Sequence, residues 1–534
     1  MVGNSLSSHE TMSDEERIDA EHRARAISKL RSELTKDISR AAVVAGACGL
    51  WELLRLCYLL RLTHMLMIVP AYREKLSYAD LARLQLRDEV LKYAIGLVAK
   101  YGTWADNVTA INTIRAFNNE RVDALEDFAR HINAKFETEA MLHVARIRVE
   151  GDRDQDCYLD LEAGLRDPQR SIYFNYGLRL ERFTIHEKER TLTAPNLVRR
   201  LYEDFFEVAD LFEVRCGISL SDFCEGIIHL EAVLKDRLHS AVDAINGEGH
   251  ELINPDDIRS FVGISRAFYF TDTELENSFS TEFVLYLRNH PFDPAEASEA
   301  ELRFHYLTRR PFLMGQGFAV LSPDLFFDSV LNNVHFTLLE GDESKVPYMN
   351  ASSSHFLDRV AALAANSGYE EVARDVFLYE GKQTIGDIDL VLHNSVTGHN
   401  LLVEGKNHAL PLPVYFKSAE AIDAHLARNR DWEKKVKRRI LHLHGVSPSY
   451  KVEGAWDYIV ASLMPEPLSH QSDILILSLE EFEQWLRQKP RDISFAKFYS
   501  SVYKSEENTM SMDEMNHLQK EGYFLGKPAQ GFPA

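Results

Sequence analysis

The chain has 534 residues, 45% of them apolar and 27% charged, which excludes wholesale disorder and points to about two to four domains. Acids outnumber Lys and Arg by 82 to 60, a net charge of −22, so coating of nucleic acid by bulk positive charge is excluded and any such contact must be local. Cys48, Cys57, Cys157, Cys216 and Cys224 form no CxxC pair, so neither a zinc site nor a disulfide framework is expected, in keeping with a reducing cytoplasm.

The first residues, MVGNSLSSHETMSDEER, are polar and acidic, without the basic and then apolar runs of a secretory signal. The segment DEERIDAEHRARAISKLRSELTKDISRAA mixes both charges at helical spacing and lacks Gly and Pro. It predicts a helix capped by Ser13, with Glu16 completing a capping box. Residues 41–72 are apolar but carry Glu52, Arg55, Arg61 and His64. The uncharged part, 41–51, is half of the roughly 20 residues a membrane span needs, so a buried helix is expected and no membrane partner. Further helices are expected at 76–100, 109–149, 195–212 and 220–245. The last carries Phe223, Ile227, Leu230, Val233 and Leu234 on one stripe, with Ser221 or Asp222 as its cap. His143, His229 and His239 read as packed or solvated helix residues. The acids around Glu203 and Glu274 read as solvated faces. No phosphate-cradling GxxxxGK[ST] loop occurs.

At Leu307 the texture changes. TRRPFLMGQGFAVLSPD predicts two short strands around Gly315 and Gly317, and FFDSVLNNVHFTLLEG predicts a helix. The polar stretch 341–353 contains a proline and is taken as a boundary near 345. The expected organisation is a helical region over 1–306, a connector over 307–345, an α/β domain over 346–503 and a flexible tail over 504–534.

The α/β domain reads as helix 355–366, ended by Gly368; strands 371–379, 385–392 and LLVEGK, the last two joined by the turn HNSVTGHN; a long helix 415–443; strands WDYIVASL and ILILSL; and a helix in LEEFEQWLRQK. This is a mixed sheet with helices on both faces. Residues 351–500 carry 20 acids against 17 Lys and Arg, so this domain is near neutral while the rest holds most of the negative charge. That asymmetry favours an anionic substrate here.

The chemistry-bearing residues lie on the central hairpin. Glu404 and Lys406 are two apart on a strand and face one side. The turn returns the chain so that Asp389 lies beside them. Two adjacent carboxylates repel, and a divalent cation offsets the repulsion. Mg²⁺ prefers one or two carboxylates plus water and phosphate oxygens, and a nearby lysine positions water and offsets charge on phosphorus. This set suits metal-assisted phosphodiester hydrolysis.

GDIDLVL, then fifteen residues from Asp389 to Glu404, then EGK resembles the PD-(D/E)xK nuclease superfamily, the restriction-endonuclease-like fold, over about 150 residues. The resemblance implies a twisted mixed sheet flanked by helices and a Mg²⁺- or Mn²⁺-dependent endonuclease acting on nucleic acid, DNA ahead of RNA. It implies Asp389 and Glu404 as metal-binding acids, the Gly405 carbonyl as a further ligand and Lys406 as the catalytic lysine. Asp387 stands where many relatives have Glu, and with Asp358 and His408 it is an accessory candidate. Two departures stand out. Ile388 takes the place of the motif proline. The helix position that often carries Glu is Leu357, and Asp358 lies about 100° further round; a one-metal site does not need that acid.

The helix after the hairpin holds RNRDWEKKVKRR. Lys434, Lys435, Lys437, Arg438 and Arg439 are candidates for phosphate-backbone contact, or else a solvated face paired with Asp431 and Glu433. Trp432 is expected to pack, and His442 and His444 to splay apart. The helical region is expected to sense, gate or oligomerise, an architecture similar to bacterial defence and repair nucleases. A homo-oligomer fits the resemblance. The alternatives are a nuclease fold without catalysis, used as a scaffold or nucleic-acid-binding module, or a protein whose main function is partner binding by the helical region.

Overall fold

A computed structural model describes residues 14–503 except 107, 113, 115, 116, 151–155, 160–171, 174, 181, 184–192, 248–257, 299–301, 303–305, 408–411, 416, 417, 451, 489, 490 and 492. Ser13, His408 and the tail 504–534 lie outside the described residues. The described residues are mostly helical, with a mixed five-stranded sheet in the carboxyl-terminal part.

The first core forms around a helix that is apolar on nearly every side. α1 (Asp14–Gly46) leads at a 115° bend into α2 (Leu50–Ile68), in which every residue from Leu50 to Leu60 is buried. Such a helix is stable in water only inside a protein. No single described helix is long and apolar enough to cross a membrane; α1 and α2 meet that test only together, across the bend. α3 (Tyr78–Tyr101) starts at Ser77, whose hydroxyl accepts the Asp80 N–H. The expected long helix over 109–149 is shorter. Asn118 caps α4 (Asn119–Val144), and the chain then forms β1 (Ile147–Glu150), paired with β2 (Asp156–Leu159). The Asn118 side chain accepts the Glu120 N–H and so fixes the start. The helix expected over 195–212 is two, α5 (Ala194–Phe205) and α6 (Ala209–Cys216), the second ended by Gly217 at φ 70°. α7 (Leu220–Gly247) is capped by Ser219, whose hydroxyl accepts the Asp222 N–H at 3.0 Å, in place of Ser221 or Asp222. β3 (Tyr269–Thr271), β4 (Leu313–Gly315) and β5 (Phe318–Val320) form a small antiparallel sheet around β5. α8 (Pro323–Glu340) completes this core. Cys48, Cys57, Cys216 and Cys224 are free and buried.

The polar stretch 341–353 is not a linker. It supplies the first turns of α9 (Lys345–Ala365), with Pro347 in the first turn, where its missing N–H leaves no helical bond unmade. Tyr348 packs in the first core, while Phe356, Leu357, Val360 and Ala364 pack under the sheet. One continuous helix thus enters both cores.

The sheet consists of β6 (Glu370–Glu380), β7 (Gln383–Asn394), β8 (His399–Lys406), β9 (Trp456–Ser462) and β10 (Leu475–Ser478), in the order β10-β9-β8-β7-β6. β6, β7 and β8 are antiparallel neighbours; β8, β9 and β10 run parallel. The parallel step from β8 to β9 needs a crossover, which α10 (Ala419–Val446) provides. α11 (Leu479–Arg487) and α12 (Phe495–Tyr503) join α9 on the other face. Side-chain alternation divides β8: Leu401 and Val403 face α9 and α11, and Leu402 faces α10. Glu404, two beyond Leu402, therefore comes out towards α10.

The carboxyl-terminal unit also recruits an earlier segment. Ile172, Tyr173, Tyr176 and Leu180 lie in the core beneath α10. Arg179 is fully buried and donates to Glu481 at 2.6 and 2.7 Å, to the Glu466 carbonyl at 2.8 Å and to Ser469 at 3.3 Å.

Candidate functional site

The β7–β8 ladder pairs Leu390 with Val403 and ends there. Continuing its register by one residue sets Asp389 opposite Glu404. The Gly405 N–H donates to Asp389 Oδ2 at 2.6 Å, closing the end of the hairpin. Glu404 is buried, and both its oxygens are engaged. Lys406 Nζ donates to Oε1 at 2.8 Å, while Arg439 from α10 and the Tyr458 hydroxyl from β9, at 3.2 Å, donate to Oε2. The Lys406 ammonium also lies 5.6 Å from the ring centre of Trp432. Gly405 allows close packing: a Cβ there would meet Leu357 Cδ2 at 2.8 Å.

Among the described residues, a group of ligand-capable acids that includes Asp389 differs from the expected Asp389–Glu404 pair. Asp375, Asp387 and Asp389 each bring a carboxylate oxygen to within 4.8 Å of the others. Asp375 lies on β6, where Arg374 pairs with Leu390 and Val376 with Ile388, so register sets it opposite Asp389. Its φ of 52° is the one positive value among described residues other than glycine. That conformation is uncommon off glycine and is found disproportionately at functional sites.

Burial, and then the negative charge of Glu404, push the Asp389 carboxyl up to about 6, against the opposing pull of the Gly405 N–H and Lys406. Four acids, Asp375, Asp387, Asp389 and Glu404, share two cations, Lys406 and Arg439. This shortage of positive charge, together with hard oxygen donors, fits a divalent cation held by Asp375, Asp387 and Asp389.

The other expected residues separate. Asp358 accepts from Arg374 at 2.7 Å and groups with Glu207 and His355, not with the site carboxylates. The basic run divides too. Lys434 pairs with Asp431 at 3.5 Å, Lys437 with Glu433 and Asp473 at 3.1 and 3.0 Å, and Arg438 with Glu380 at 2.6 Å; Lys435 is exposed. Arg439 is not on the surface. It is 8% exposed, turned onto Glu404, with Nη2 3.8 Å from Asp387. His442 approaches Tyr450 and the His444 ring lies tilted against Trp456, so the two point to different partners.

Asp375 and Arg439 are the site residues that sequence reasoning misses or misplaces. The signal for Asp375 is weak, one of three acids in EVARDVFLYE with nothing local to single it out. No protein-family model, curated protein or solved structure compared with this chain matches it.

Proposed function

We propose that the carboxyl-terminal unit is a restriction-endonuclease-like domain that hydrolyses phosphodiester bonds in nucleic acid with a divalent cation, Mg²⁺ or Mn²⁺. The observation that carries this reading is the meeting of Asp389 and Glu404 at the end of the β7–β8 ladder, with Lys406 bonded to Glu404. The succession of α9, three antiparallel strands, α10 and two parallel strands supports it.

A bound cation would supply charge on the phosphate and a more acidic water. Asp375, Asp387 and Asp389 would hold it. Lys406 presents an ammonium that orients water or offsets charge building on a phosphoryl oxygen. Glu404, locked between Lys406, Arg439 and Tyr458, keeps that ammonium in place.

The same lock favours a second reading. With both Glu404 oxygens taken by the chain's own donors, the unit also suits a nuclease fold used without catalysis as a binding module.

A cleavage assay on the full chain separates the two. It uses single-stranded DNA, duplex DNA and RNA with Mg²⁺ or Mn²⁺, beside Lys406→Ala. Metal-dependent cutting lost in the variant supports hydrolysis. A wild-type protein that cuts nothing, and whose melting temperature Mg²⁺ does not raise, supports the binding module.

A further inference from the structure

β6 is an edge strand of the sheet, at the end opposite β10, and it exposes two aromatic rings near the site. Phe377 is 53% exposed and Tyr379 is 48% exposed. Phe377 is the register partner of Asp387, so its ring and that carboxylate share one face of the ladder. Two residues back lies Asp375, whose carboxylate groups with those of Asp387 and Asp389. The Phe377 ring therefore borders the candidate site, and Tyr379 follows across a register shift in the ladder.

The strand is poorly built for pairing with another chain. Asp375, at φ 52°, interrupts its extended line. The Tyr450 hydroxyl accepts the Tyr379 N–H at 3.0 Å and donates to the Tyr379 carbonyl at 3.3 Å. Glu370, Glu371, Asp375 and Glu380 load the strand with like charge. What β6 offers is ring faces, not backbone.

The charge balance decides which nucleic acid suits those rings. Duplexes are held chiefly through phosphates by Lys and Arg. Here the chain carries −22, and Lys434, Lys437, Arg438 and Arg439 are each directed at an acid of the chain itself. Unpaired bases gain part of their affinity by stacking on aromatic rings, which paired bases inside a duplex cannot do, and every base has a face to stack.

We propose that Phe377, followed by Tyr379, is a stacking platform for unpaired nucleobases beside the carboxylate cluster, and that the substrate is single-stranded nucleic acid. This rests on the hydrolytic reading for taking the ligand to be nucleic acid.

The test is fluorescence anisotropy on the full chain, in EDTA and in Mg²⁺. The probes are labelled oligothymidylate, oligouridylate and a blunt DNA duplex, and the same samples are run on gels for cleavage. Wild type should bind one or both single strands more tightly than duplex, and the two single-strand arms tell DNA from RNA. Phe377→Ala should weaken single-strand binding by between about 5-fold and about 150-fold, the range of one lost stack. Phe377→Trp should restore it. Tighter binding of duplex, or unchanged single-strand binding in Phe377→Ala, would overturn the proposal. So would sedimentation showing that Phe377→Ala merely dissolves a dimer. Single-strand binding lost in Phe377→Ala while wild type cuts nothing keeps the platform and removes the hydrolytic reading. Wild-type cutting that Phe377→Ala leaves intact, with the same strand preference, does the reverse.

Discussion

Arg439 reaches Glu404 by crossing directly over Gly386. A Cβ on Gly386 would lie 2.3 Å from Arg439 Nε, and Gly386 has a φ of 130°. The glycine beginning GDIDLVL thus serves a helix residue, Arg439, 53 positions further along the chain. It leaves room for the guanidinium and adopts a backbone conformation closed to other residues.

Gly386→Ala should therefore cost about 1–3 kcal/mol through backbone strain and should also dislodge Arg439 from Glu404. Urea unfolding of the variant measures the cost. A variant as stable as wild type would mean that the guanidinium does not need this passage.

Glu404 is the wrong residue to remove for a clean loss of activity. Its loss would leave Arg439, 8% exposed, without its main counter-charge, a change that typically costs about 3–5 kcal/mol. Glu404→Ala should unfold at clearly lower denaturant. Lys406→Ala leaves Glu404 paired with Arg439 and Tyr458, so it should lose hydrolysis with an unfolding midpoint near wild type. Parallel midpoints and cleavage rates check the contrast. A Lys406→Ala protein that cuts at the wild-type rate removes the lysine from the chemistry.

Residues 345–503 should not fold as an autonomous domain. That fragment lacks Arg179, which is buried against Glu481 and sits 4.6 Å from the Phe495 ring centre, and it lacks Tyr176 from the core beneath α10. In the full chain, Arg179→Met leaves Glu481 buried without its cation and should destabilise by about 3–5 kcal/mol. Circular dichroism of the fragment should show no cooperative melt. A sharp transition at the full-chain temperature would show that the 172–183 segment is dispensable.

A buried charge network in the helical region predicts a loss of stability in alkali. His64 on α2 lies 2.5 Å from Asp88 on α3 and 3.2 Å from Asp324 on α8; Lys92 bridges Asp88 and Asp328, and Arg61 bonds Asp324. Burial opposes charge on the ring, but the Asp88 and Asp324 carboxylates outweigh it and raise the pKa from 6.5 to about 9. A raised pKa means that the folded state holds the proton more tightly than the unfolded chain. The gain is full below pH 6.5 and is lost as pH rises through about 9, amounting to about 3 kcal/mol. Unfolding free energies measured across that window should fall for wild type and stay flatter for His64→Gln.

Much of the sheet unit is legible in the sequence because its signals are local. Apolar runs and alternation in IGDIDLVL and LLVEGK, with Gly368 and the Asn394–Gly398 turn between elements, predict β7, β8 and the helix before them. The two-residue spacing predicts that Glu404 and Lys406 point together, and the two are bonded at 2.8 Å. Helix ends are less legible. The polar run 341–353 has a linker's composition, yet Tyr348 has a hydrophobic core to enter, and burial there outweighs composition.

By itself the sequence determined the order of elements in the carboxyl-terminal sheet unit, where the central hairpin lies and which three residues meet at its end, since those depend on neighbours in the chain and on one short turn. The tertiary structure alone decided that Asp375 joins Asp387 and Asp389, that Arg439 turns inward onto Glu404 and that Arg179 locks an early segment into the last domain. Those contacts depend on strand register, on helix placement and on partners up to 302 residues apart in the chain. No local pattern encodes them, because each gains its energy only when distant surfaces are buried together.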